Sequence, residues 1–108
     1  MKKGEIWLVE LPFANGHEQA GTRPALILAE TDANIAIVIP LTSNLQALRF
    51  LNAIEVKPTA ENGLPEISIA LVFQVRAIDK KRLKHKIGEL ENSVLKEIDS
   101  SLIKILRL

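Results

Sequence analysis

Apolar residues fall in short, dense runs over the first three quarters of the chain and then change spacing. Glu5-Ile6-Trp7-Leu8-Val9 is rich in strand formers and is followed by Pro12, which predicts a first strand. Ala14 to Arg23 turns polar, with Gly16 and Gly21 as breakers, and reads as a loop. Ala25 to Ala29 and Ile35 to Ile39 are near-continuous apolar runs separated by the turn-rich Glu30-Thr31-Asp32-Ala33-Asn34. That pattern predicts an antiparallel hairpin, and the lack of clean alternation predicts burial on both faces, as in a packed barrel or sandwich. Asn44 to Leu51 is a second long connection, Ala53-Ile54-Glu55-Val56 a short strand stopped by Pro58, and Glu61 to Pro65 a turn. Ile67 to Val75 supplies a further strand pair or one bent strand.

The last third takes a helical period. Leu95, Ile98, Leu102 and Ile105 line one face with Lys96, Asp99 and Lys104 between them, and Asn92 or Ser93 is the expected cap. Lys80 to Ile87 is read as a short helix ended by Gly88. These elements make a single domain over residues 1–108, mostly β within the α+β class, a compact barrel crossed by one C-terminal helix.

Composition narrows the chemistry. With 108 residues and no cysteine, disulfides and thiolate zinc sites are excluded. No apolar run approaches the ~20 residues of a membrane helix, and no apolar segment follows Met1-Lys2-Lys3, so the expectation is a cytoplasmic protein with no membrane association. The net charge of +1 gives no global field to attract a polyanion; the basic residues cluster at Lys80, Lys81, Arg82, Lys84 and Lys86, usually a solvated face. His17 and His85 are the only histidines, and neither has a second ligand at metal spacing, so neither a metal nor a cofactor is expected. What remains is the loop Gly16-His17-Glu18-Gln19-Ala20-Gly21-Thr22-Arg23-Pro24. From composition alone, Glu18 and Arg23 read as a bracing ion pair and His17 as solvated.

Three ordered motifs change that reading. Gly4-Glu5-Ile6-Trp7 with the Gly16–Pro24 loop resembles the N-terminal signature of the MazF/PemK/Kid toxins; Pro40-Leu41-Thr42-Ser43 resembles their second motif, and Ser68 to Asp79 their third, ending in Gln-x-Arg-x-Ile-Asp. The resemblance covers essentially the whole chain. It implies an SH3-like β-barrel of the CcdB/PemK type that forms a homodimer. It also implies a sequence-selective endoribonuclease that cuts single-stranded RNA without a metal. Such a toxin is neutralised by a cognate antitoxin, with which it binds DNA. The residues matching the family's site are Arg23, Thr42 and Gln74, with His17 and Glu18 at contributing loop positions. Ser43, Arg76 and Phe73 are further candidates for RNA contact.

Each candidate suits metal-free cleavage by the neighbouring 2′-hydroxyl. Arg23 offers a permanent, forked donor for phosphate oxygens, and Pro24 restricts it to extended conformations. Thr42 adds a hydroxyl. Either His17 or Glu18 is suited to accept the hydroxyl proton, and Gln74 to bond an exposed base edge. Phe13 and Phe50 lie in the long loops, where they either stack on bases or anchor the loops. Two departures stand out: several relatives carry an aspartate where this chain has Phe73, and one branch an arginine at Leu71. Rival readings are a CcdB-like poison of a topoisomerase on the same fold, and a catalytically dead RNA-binding barrel.

Overall fold

The computed structural model describes residues 1–12 and 16–108, so Phe13 lies outside the described residues. Strands β1 (Glu5–Leu11), β2 (Gly21–Glu30) and β3 (Ile35–Thr42) form a meander in the order of the chain. β4 (Ala53–Val56), β5 (Ser68–Leu71), β6 (Arg76–Asp79), β7 (Leu83–Glu89) and helix α1 (Asn92–Leu106) follow. The β2–β3 turn is fastened by Thr31, whose amide and hydroxyl both donate to the Ile35 carbonyl at 2.9 Å, while Asn34 takes a left-handed φ of 61°.

The sheet runs β4-β5-β3-β2-β1-β7, with β6 also on β3. β3 is its centre. One edge pairs with β2; along the other, Ile35–Val38 pair with β6, and Leu41 and Thr42 with β5. The hand-over falls at Ile39-Pro40, where proline has no N–H to leave unpaired. Opposite that gap the chain leaves the ladder in a 3-10 turn, Val72–Gln74. Of the strand pair or single bent strand expected over Ile67–Val75, only β5 forms there; the second strand on that edge of β3, β6, begins at Arg76, past the turn.

The barrel is not closed by a strand ladder. Helix α1 packs against β4 and the Val72–Gln74 turn; its Ile98 is fully buried, and its Leu95, Leu102 and Ile105 pack against the core cluster that includes Ile6, Leu26, Ile39 and Val72. Both faces of mid-β2 and most of β3 are buried, as the unbroken apolar runs require.

Two local expectations fail. Lys80–Arg82 is a single 3-10 turn capped by the Asp79 carboxylate, and Leu83–Glu89 is a strand rather than a helix. Pairing with β1 decides this: Trp7 opposes Lys86 and Leu8 opposes His85, so tertiary hydrogen bonding overrides a lysine-rich local pattern. Paired carboxylates compensate the basic cluster there, Arg82 and Lys84 meeting Glu10, and Lys86 meeting Glu5 and Glu89. Glu5 is buried, and the Trp7 indole N–H at 2.9 Å, helped by Lys86, holds its carboxyl below the usual range. Neither Asn92 nor Ser93 caps α1; the capping position is Glu91, without a side-chain bond, so both lie inside the first turn.

Gly88 lies against the 57–65 segment. A Cβ there would stand 2.4 Å from the Glu61 carbonyl oxygen and 2.5 Å from the Asn62 carbonyl carbon, both backbone atoms. Asn62 fixes that segment: its buried amide accepts from the Thr59 and Leu64 amides and donates to the Lys57 carbonyl. Gly88→Ala should therefore destabilise the fold by about 3 kcal/mol or more, read as a lowered thermal midpoint; a midpoint equal to wild type would show that this packing is loose.

Candidate active site

The loop before β2, the end of β3 and the 3-10 turn after β5 converge on one open cavity of about 470 Å³. Its wall includes His17, Gln19, Thr42, Phe73 and Gln74, together with Asn44, Gln46, Arg49 and Phe50 from the β3–β4 connection. That connection is partly ordered as a 3-10 helix, Leu45–Arg49, capped by the Asn44 side chain accepting from the Gln46 amide.

The loop's shape is set by two side chains from beyond β5. Gln74 Oε1 accepts from the Gln19 amide at 2.8 Å, and its Nε2 donates to the His17 carbonyl at 3.3 Å. Arg76 Nη1 donates to the Gln19 carbonyl at 3.0 Å. Both ends of the Gln74 amide thus engage loop backbone rather than facing outward for a base edge. The 3-10 turn is what makes this reach possible, because it lifts Gln74 out of the ladder. Both peptide groups of Gln19 are fixed from outside the loop, and its buried side-chain Oε1 has no hydrogen-bond partner among the described residues.

The other expected residues divide. Thr42 is 7 % exposed at the end of β3, and its Oγ1 accepts from the Asn44 amide at 3.2 Å. His17 is exposed on the cavity wall. Arg23 lies on β2 opposite Val9, half-buried, with its Nε donating to the Ala20 carbonyl at 2.9 Å. It is not part of the cavity wall, and neither are Glu18, Ser43 and Arg76. Glu18 is exposed and folds back, its carboxylate 2.9 Å from where a Gly16 Cβ would stand. Among the described residues no ion pair joins Glu18 to Arg23. Also among the described residues, no three His, Asp or Glu side chains converge as metal ligands.

Residues 2–106 match the family model described as the PemK-like, MazF-like toxin of type II toxin–antitoxin systems. The chain belongs to that toxin family. Endoribonuclease EndoA of Bacillus subtilis is 30% identical over 106 residues, covering 94% of this chain and 90% of its own. The crystal structure of MazF (Form-I) from Deinococcus radiodurans is similar with a TM-score of 0.81 and 25% identity, over 100% of this chain and 97% of that one. MazE–MazF (Form-II) from the same organism gives 0.74 and 25%, over 100% and 96%.

Set beside its toxin family, the chain's site holds residues that motif reading did not reach. Gln19 sat within the loop motif but lacked charge; Asn44, Gln46 and Arg49 sat in a stretch legible only as a connection. Phe73 and Phe50 meet edge to face, with ring centroids 5.6 Å apart and an interplanar angle of 63°. Arg49 Cζ lies 4.9 Å from the Phe50 centroid. Gln74→Leu should speed hydrogen exchange at the Gln19 amide roughly tenfold, the worth of about one hydrogen bond, with little change in the global midpoint. Unchanged exchange would remove Gln74 from its loop-holding role.

Proposed function

We propose that the chain is a cytoplasmic, metal-independent endoribonuclease toxin that cuts single-stranded RNA at selected sequences. The observation carrying this reading is the cavity that His17 and Thr42 both line, beside uncharged amides and aromatic rings suited to bases. The names of its relatives support it: EndoA is an endoribonuclease, and MazF is found with MazE.

In the reaction the 2′-oxygen bonds to phosphorus as its proton passes to the base, and the P–O5′ bond breaks, the departing oxygen taking a proton from water, to give a 2′,3′-cyclic phosphate and a 5′-hydroxyl. Charge rises on the non-bridging oxygens. Arg23, whose Nε is tied to Ala20, has its terminal nitrogens to offer them, and the Thr42 hydroxyl adds a neutral donor. His17 is the better base, because it lines the cavity and Glu18 does not. Ser43 stands exposed next to Thr42, able to bond the sugar–phosphate chain. Gln74 and Arg76 act through the loop they hold.

The active unit is a homodimer held in check by an antitoxin. Ile103, Leu106 and Leu108, about half exposed or more at the end of the chain, provide apolar surface for such association. Among the described residues no helix is long and apolar enough to cross a membrane.

Incubation with a long unstructured RNA in excess chelator tests the central reading. The wild type should cut it, and Arg23→Ala should cut about 10²–10³-fold more slowly with an unchanged melting midpoint. Intact RNA, or cleavage that returns only with added divalent ion, would overturn the reading. As the base, His17 takes the proton of the 2′-hydroxyl, so His17→Ala should slow cleavage about 10²–10⁴-fold; undiminished cleavage would pass the role to Glu18.

A further inference from the structure

Gln19 combines two properties seldom found together. Its backbone N–H and C=O are both bonded from outside the loop, by Gln74 at 2.8 Å and Arg76 at 3.0 Å. Gln19 lines the cavity, yet its side-chain Oε1 is buried and, among the described residues, has no hydrogen-bond donor. A buried carbonyl oxygen without a donor costs free energy that a bound donor would return. Two rigid attachments to the backbone limit where that oxygen can go to find one.

The same cavity carries aromatic surface. Phe50 is 46% and Phe73 39% exposed, large values for phenylalanines that already pack on each other. Partly wet rings on a cavity wall are what the face of a planar heterocycle covers.

We propose, resting on the endoribonuclease reading, that this cavity holds one RNA base bearing an exocyclic amino group. The amino N–H bonds to Gln19 Oε1, and the ring stacks on the Phe50–Phe73 pair. Gln19 is thus a specificity-determining residue. Adenine, cytosine and guanine qualify. An exocyclic amine projects beyond the ring and meets the Gln19 oxygen once the side chain, whose oxygen no hydrogen bond among the described residues holds in place, turns toward the cavity. The imino N–H of uracil lies between two carbonyl oxygens, which would be driven against Gln19 Oε1. Sites built around a polar partner reject analogues lacking it far more strongly than apolar pockets reject a missing methylene.

The test uses a short single-stranded RNA that the protein cuts. Each adenosine is replaced in turn by purine riboside and each cytidine by 2-pyrimidinone riboside, so that only the amine is lost; each guanosine is replaced by inosine. At one position, loss of the amine should slow wild-type cleavage about tenfold to a hundredfold. Uridine there should be no better. In Gln19→Met, which keeps the length and loses the acceptor, the amine should cease to matter; in Gln19→Glu, which keeps an oxygen, the dependence should remain. Wild-type cleavage indifferent to every replacement, or a Gln19→Met enzyme that still demands the amine, would overturn the inference while leaving the ribonuclease reading intact. A wild type that cuts no RNA would overturn both.

Discussion

β3 serves two partners along one edge, and a proline marks the change. Ile35–Val38 are paired to β6, Leu41 and Thr42 to β5, and Pro40 lies between without an amide hydrogen to satisfy. Opposite it the chain leaves the ladder for one 3-10 turn, Val72–Gln74, and that turn delivers Phe73 to the cavity and Gln74 to the loop. The interruption of the sheet there brings both residues to the site.

Charge plays a small part in the cavity itself. Arg49 and His17 are the ionisable groups on its wall, and amides, a hydroxyl and aromatic rings make up most of the rest. Such a lining suits neutral, planar, hydrogen-bonding ligands better than a bare anion. Arg23 sits to one side, tied to Ala20. The division fits a substrate with both parts: a phosphate for the flanking arginine, and a base for the amides and rings.

Much of this was legible in the sequence where the signal is local. Unbroken apolar runs gave β2 and β3, the period of Leu95, Ile98, Leu102 and Ile105 gave α1, and the loop and strand-end motifs led to His17 and Thr42. β7 was misread because Leu83 and Ile87 are four apart with lysines between, a helical spacing that its pairing with β1 overrides. Gln74 and Arg76 were expected to face RNA; their grip on a loop more than fifty residues earlier is a tertiary fact that no local pattern encodes. The β3–β4 connection carried no period at all, so its share of the cavity wall appears only when three distant segments come together.

Gln74 and Arg76 grasp peptide groups, and peptide groups are common to every amino acid. The loop's course is therefore largely independent of the side chains at positions 17, 18 and 19. Substitutions there can alter what the cavity meets while the scaffold stays put, so the protein's selectivity and its architecture are free to evolve on separate schedules.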